Sequence, residues 1–322
     1  MERKGVAFAG SLLVDNIYEI AAYPSSGELT QIRSIQRATG GMVPNNGIGL
    51  KKAAPHLPVF ALGKIGEDEG GRYALNELLQ NGVDVSGVKV SATEKTSFTD
   101  VMSVRGGQRT FFTYSGTSST FGVEDISWEN LSCKMLHLGY FLLLDKVDNG
   151  DGLKILREAK ERGIKTSIDL VSENSDRYAL VLPCLPYVDN LIINETEASR
   201  LCKMSPNALF EMAKKLFEYG VKERVIIHTP DVGVCYNGKE FVKLASYSLP
   251  DDFIKGTTGA GDAYCTGALL GIYEGKSDEE ILRIATDCAT CSLRQANATD
   301  GLTEYSAMRE ICKNLKRKEI CL

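Results

Sequence analysis

The chain has 322 residues, 43% of them hydrophobic and 25% charged, with a net charge of −5. That is the composition of a globular protein, long enough for one large domain or two small ones. No basic footprint argues for a nucleic-acid polymer or an anionic membrane as partner, and no apolar run approaches the ~18 residues of a membrane span.

Glu2-Arg3-Lys4 followed by GVAFAGSLLV imitates a short secretory signal, but the run is broken by glycine and stopped by Asp15. A first buried strand over Val6–Ala9 explains it better, and the protein is expected to stay in the cytoplasm. Further strands are predicted at Val59–Leu62, Met135–Leu138, Lys165–Ile168, Asn190–Ile193 and Arg224–His228, with amphipathic segments between them. Asp68 opens a helical pattern that Gly82 closes, and Asn149 or Asp151 opens another that Gly163 closes. Ser205-Pro206 reads as an N-cap with proline at the first helical position, and Ser277-Asp278-Glu279-Glu280 as a capping box. Strands alternating with helices imply a parallel sheet covered on both faces.

Two stretches depart from this alternation, about 12–38 and 96–115. The second carries a hairpin signal, Thr99–Val104, a Gly106-Gly107 turn and Arg109–Tyr114, with aromatic residues on both faces. A small accessory sheet used as a lid or a dimer contact fits such a surface. Asn237-Gly238 marks another hairpin at a sheet edge. With no repeat or linker, one domain over residues 1–322 with a lid is the economical organisation. The cysteines number nine, and the single CxxC, Cys288 to Cys291, has no second pair; reduced thiols in a cytosolic protein are the expectation.

The segment richest in chemistry is Gly256-Thr257-Thr258-Gly259-Ala260-Gly261-Asp262, directly before a helical run. Glycines let the backbone approach a ligand, and the first amides of a helix lack intrahelical acceptors, so the loop offers an anion hole. An aspartate there would repel a phosphate that was merely bound. It makes sense as a base taking a proton from a hydroxyl while the amides hold the phosphoryl group. The bland alternative is a glycine-rich loop with Asp262 as N-cap. Gly10 alone does not make a dinucleotide fingerprint, and Gly275-Lys276-Ser277 lacks the first glycine of a P-loop.

TTGAGDAY followed by TGALLG resembles the C-terminal signature of the ribokinase-like (PfkB) carbohydrate kinase family. Other motifs follow in the family's order: Gly10 to Asp15 in the first-strand segment, Gly40-Gly41-Met42-Val43-Pro44-Asn45 as a GGxxxN loop, the glycine-rich Gly63 to Gly71, and Asn194-Glu195-Thr196-Glu197 as NxxE. The resemblance implies a ribokinase-like three-layer α/β/α sandwich with a mainly parallel central sheet and a small β-sheet lid. It implies an ATP-dependent sugar kinase acting on a primary hydroxyl, with Asp262 as general base beside Gly259, Ala260 and Gly261. Asp15, Gly40, Gly41 and Asn45 would bind the sugar. Asn194, Glu197, Thr229, Gly233 and Thr258 would serve the nucleotide, with Glu197 acting on Mg2+ through water.

Departures from the pattern are local. Gly256 stands where the family usually has an aspartate that ligates a monovalent cation, which leaves K+ activation open. Pro230 replaces a glycine on the adenine side. The loop residues Met42-Val43-Pro44 match neither the ribokinase nor the fructokinase form, and Leu12 and Leu13 suggest an apolar pocket. Arg105 and Arg109 could grip an acidic substrate. A nucleoside kinase, with Tyr140, Phe141 or the lid phenylalanines stacking on a base, and a non-catalytic sugar-binding sensor are the alternatives. A homodimer through the lid is expected.

Overall fold

The computed structural model describes residues 3–104 and 109–319. Along the chain run β1 (Val6–Gly10), β2 (Leu13–Ile20), β3 (Ile32–Gly40), α1 (Met42–Ala53), β4 (Val59–Leu62), β5 (Lys64–Gly66), α2 (Glu69–Gln80), β6 (Lys89–Ser91), β7 (Ser97–Val104) and β8 (Arg109–Tyr114). Then come α3 (Gly116–Thr120), β9 (Met135–Phe141), α4 (Gly152–Glu161), β10 (Lys165–Leu170), β11 (Asn190–Asn194), α5 (Glu195–Cys202), α6 (Leu209–Glu218) and β12 (Arg224–His228). The chain ends with β13 (Val232–Tyr236), β14 (Phe241–Ala245), α7 (Ala260–Tyr273), α8 (Asp278–Ser292) and α9 (Tyr305–Lys313).

The central sheet has the order β14-β13-β12-β11-β10-β9-β1-β4. It is parallel from β4 to β12, and the β13–β14 hairpin at Asn237-Gly238 adds an antiparallel edge. Alternate residues feed two cores, as a strand's period of two requires. Val6, Phe8, Ile192 and Ile226 pack with α1, α7 and α8, while Ala7, Ala9, Leu191, Ile193 and Val225 pack with α4, α5 and α6. The expected three-layer α/β/α arrangement is therefore present.

Most predicted boundaries hold. Asp68 caps α2 by accepting from Gly71 N, and Ser277 and Glu280 form the capping box of α8. Ser205-Pro206 is a correction. These residues form a turn, in which Ala208 N bonds Ser205 O at 3.0 Å, and α6 begins only at Leu209 with Ala208 as its N-cap. A serine–proline pair suits a turn as well as a helix start, and here the turn wins. Asp151 precedes α4 without capping it; its carboxylate accepts from Val123 N instead.

The second sheet has the order β3-β2-β7-β8, and the strands cover the two stretches that broke the alternation. The Gly106-Gly107 turn and Arg105 lie outside the described residues. Register places Asp15, Ala38, Thr99 and Thr113 on one face, with Phe111 and Arg109 further along it. Ile35, Phe112 and Tyr114 lie on the other. The chain leaves β1 into β2 and returns from β3 through Gly40-Gly41 into α1, so this small sheet hangs from the C-terminal edge of the parallel strands.

Candidate active site

The functional side chains gather where β1, β9, β10, β11 and β12 end, the edge at which open α/β sheets bind ligands. Gly259 is the N-cap of α7 at φ 75°, and a Cβ there would stand 2.3 Å from Ala298 Cβ. Only a glycine in left-handed backbone brings the loop onto the helix in this way. The Gly261 and Asp262 amides have no acceptor among the described residues, and Ala260 N reaches Thr257 O at 3.3 Å. The unpaired Gly261 and Asp262 amides thus stand at the positive end of a fourteen-residue helix, a geometry that suits an anion.

Asp262 sits on the first turn of α7 and is not its cap. It is 9% exposed. Asn45 Nδ2 donates to Oδ2 at 2.8 Å, and the Tyr140 hydroxyl lies 3.1 Å from Oδ1 and 3.0 Å from Oδ2. Asn46 Nδ2 holds the Asp262 carbonyl at 3.2 Å. Burial, and then the charge of Asp169, push the Asp262 pKa up to about 7, against the hydrogen bonds from Asn45 and Tyr140 that favour the carboxylate. The group therefore titrates near neutrality, as a base for a hydroxyl should.

Asp15 projects from β2 toward the same region. Burial raises its pKa to about 6, and no donor among the described residues satisfies it. Gly40 is shaped by it: a Cβ would fall 2.5 Å from Asp15 Oδ2. Gly41, at φ 87°, passes over Ser11, whose carbonyl oxygen accepts from Val43 N and whose side-chain hydroxyl accepts from Met42 N. The turn aims Asn45 inward from the first turns of α1. Asn45 Oδ1 is buried without a donor. An acceptor left unpaired in this way is costly unless a ligand hydroxyl completes it.

Two adjoining cavities flank the anion hole. One, of about 620 Å³, is lined by Thr229, Pro230, Tyr247, Tyr264, Thr290 and Leu293 among others. The other, of about 300 Å³, holds Tyr140, Asp169, Glu197 and Asp262. Asn194, His228, Thr257, Ala260 and Gly261 face both. Asn194 and Glu197 form the capping box of α5, and Glu197 also accepts from Ser172 Oγ at 2.8 Å. Burial holds the Glu197 pKa up to about 7. Three carboxylates around one cavity are oxygen donors of the kind Mg2+ takes.

Some predicted residues stand apart. Thr257, rather than Thr258, lines the cavities; Thr258 Oγ1 instead accepts from Arg109 Nη1 of β8 at 3.0 Å. Gly233 lies within β13, where a Cβ would meet Tyr264 Oη at 2.2 Å, so it makes room for that ring. The Thr229 hydroxyl accepts from Asp231 N and Val232 N in its own turn. Residues that sequence reasoning passed over include Asp169 and His228. Asp169 Oδ1 accepts from Tyr140 N at 2.6 Å, fixing that residue at φ 61°, while Oδ2 lies 3.4 Å from His137 Nε2. Both sit at the C-terminal ends of predicted parallel strands, and that placement was the available signal.

Residues 6–304 match the family model described as pfkB family carbohydrate kinase. The chain belongs to the pfkB family of carbohydrate kinases. It is an ATP-dependent carbohydrate kinase. It is similar to the ribokinase of Arabidopsis thaliana, at 25% identity over 94% of this chain and 80% of the relative. It is 26% identical to a probable chloroplastic fructokinase-6 of the same plant, again over 94% and 80%. A Clostridium perfringens 5-dehydro-2-deoxygluconokinase is 23% identical over 90% and 88%. Among solved structures, the Arabidopsis ribokinase complexed with ribose and ATP superposes with a TM-score of 0.82, covering 97% of this kinase and 99% of that chain at 23% identity. A putative ribokinase II from E. coli in complex with ATP and Mg2+ gives 0.80 at 19% identity, over 96% and 99%.

Proposed function

We propose that this kinase transfers the γ-phosphoryl group of Mg·ATP to a primary hydroxyl of a monosaccharide or sugar derivative. The observation that carries the reading is Asp262, buried on the first turn of α7 between the anion hole and Asn45. Asp15 and Asn45 would grip the sugar hydroxyls, the carboxylate accepting and the amide oxygen completing its missing contact. Gly40 and Gly41 let the chain come close. Asp262 takes the acceptor proton as the sugar oxygen bonds to phosphorus and the bond from phosphorus to the β-bridging oxygen breaks. The α7 amides, with Gly259 and Ala260, hold the charge on the moving phosphoryl group. Mg2+, when bound, would neutralise charge on the nucleotide phosphates, and Glu197, with Asn194, would hold it through water. The small sheet is the lid that excludes water from the transfer. The test is ADP release from Mg·ATP across sugars, sugar phosphates, sugar acids and nucleosides. Turnover confined to nucleosides favours the related reading in which inner-face Phe111 stacks on a base. Sugar binding without turnover leaves a sensor. All eight described cysteines are free and buried, which supports the cytoplasmic expectation.

Tyr140 gives a pH signature. Asp262 must be ionised to act, so kcat/KM falls as pH drops below about 7. Tyr140→Phe removes a donor to the carboxylate, its pKa rises further, and the acid limb of the profile moves to higher pH. An unmoved limb, with or without a lower plateau, would leave Tyr140 a purely structural role.

Potassium is not expected to activate. A Cβ at Gly256 would lie 2.9 Å from Ala296 Cα and 3.0 Å from the Gln295 and Ala296 carbonyls, so the backbone has closed over the place of the family's aspartate. Initial rates in K+ and Na+ at equal ionic strength should match, and a K+ requirement would contradict this.

The lid's outer face supports a homodimer. Ile35, Phe112 and Tyr114 are 67%, 58% and 45% exposed there, an apolar patch of the kind that marks an interface. Light scattering at micromolar protein is expected to give twice the 35.1-kDa chain mass, and Phe112→Lys to halve it. A monomeric wild type removes the dimer.

A further inference from the structure

We propose that His228 is a nucleotide ligand, its imidazole donating a hydrogen bond to the terminal phosphates as they lie across Gly261. The inference rests on the kinase reading and adds a contact that no motif signals. His228 ends β12 on the face that carries Ile226, toward α7. It is among the residues that face both cavities, so it stands at the junction between the larger one and the one that holds Asp262. Its Cε1 is 3.8 Å from where a Cβ of Gly261 would be, which puts the ring over the backbone of the anion hole.

The ring is held and yet idle. It stacks on Tyr264 with centroids 4.6 Å apart and planes at 30°, and Tyr264 in turn fills the space that Gly233 leaves. Neither ring nitrogen has a hydrogen-bond partner among the described residues. Burial holds the imidazole neutral, its pKa pushed down to about 4 against the pull of Asp169. Around it stand Asp169 on β10, Glu197 on α5, and Asp262 and Tyr264 on α7. Of the residues lining the two cavities, Lys318 is the one lysine or arginine, and its Nζ is already bonded to Asp231 and the Pro230 carbonyl. A polyphosphate there meets carboxylates, backbone amides, the side chains of Asn194, Thr229 and Thr257, and this one imidazole. Its N–H is a nitrogen donor without a partner beside Gly261, and phosphate charge next to the ring favours a second proton on it.

The test uses the full-length enzyme. Its three histidines allow the His228 imidazole signals to be assigned by comparison with His228→Gln. Adding Mg2+ and a non-hydrolysable ATP analogue should move those signals at neutral pH. His228→Phe should lower kcat/KM for ATP on the order of a hundredfold, as loss of one positioned donor does. His228→Gln, which keeps an N–H, should lose less, and KM for the sugar should not change. Static wild-type signals while a thermal shift reports that the analogue binds would overturn the assignment, even if the phenylalanine variant fails to fold. So would full activity in that variant. Absence of any analogue binding to the wild type would sink the kinase reading itself, and this inference with it.

Discussion

Asp262→Asn is expected to cost about a thousandfold in kcat, within the range that a positioned general base contributes. The substitution keeps the side chain's shape and one oxygen for Asn45 or Tyr140, but it removes the group that accepts the proton. It should not cost stability. Burial opposes the charged form of this carboxylate, so a neutral amide relieves a strain that the wild type carries at neutral pH. The expected pair of results is an unchanged or higher melting temperature together with near-complete loss of ADP formation in single-turnover assays. Turnover within tenfold of wild type would assign the proton to another group and remove Asp262 from the mechanism.

Gly259→Ala is the second large effect. The residue is in left-handed backbone, at φ 75°, which costs an ordinary residue about 1–2 kcal/mol. The added methyl would also stand 2.6 Å from Ala298 Cα, closer than real Cβ contacts come. The loop must shift, and the Ala260, Gly261 and Asp262 amides shift with it. Losing an aligned donor set is worth about a hundredfold or more in kcat. Gly275→Ala is the control, because Gly275 has φ 70° with nothing within 4 Å of its would-be Cβ. It carries the same backbone strain far from the chemistry. Both variants should lose a similar increment of stability to strain, but only Gly259→Ala should lose turnover. Equal turnover losses would mean that strain acts globally and that the loop geometry is not special.

Much of this site was legible because its parts are local in sequence. TTGAGD before an apolar helix and the Asn194–Glu197 spacing each announce a helix start and lie where expected, whereas the GGxxxN segment, read as a loop, turns at Gly40-Gly41 and enters α1 at Met42, so Asn45 is helical. What escaped was set by tertiary parity. His228 and Thr229 are neighbours at the end of one strand, so they face opposite ways, and a one-residue difference in where the strand leaves the sheet exchanges their roles. Tyr140 was visible as an aromatic residue near the pocket. Its bond to Asp262 depends on a positive φ that the sequence does not encode locally and that Asp169 enforces from the next strand. Ser205-Pro206 failed for a different reason, since the same residues satisfy a turn and a cap. The hairpin at β7–β8 was readable from its alternation, but its partner strands were not, because β2 pairs with β7 across most of a hundred residues.

The small sheet divides the proposed sugar grip between two bodies. Asp15 belongs to β2 of the small sheet, whereas Asn45 belongs to α1 and bonds to Asp262. If the small sheet acts as the proposed lid, an outward swing would take half the grip away, and the complete site would exist only in a closed arrangement. Apparent affinity for the sugar is then the intrinsic affinity scaled by the fraction of molecules that are closed. That fraction would be set in part by contacts remote from the sugar, such as Arg37 to Glu69 on α2 at 2.6 Å. Selection can therefore tune the sugar concentration at which the enzyme responds by editing the rim and leave the chemistry at Asp262 untouched.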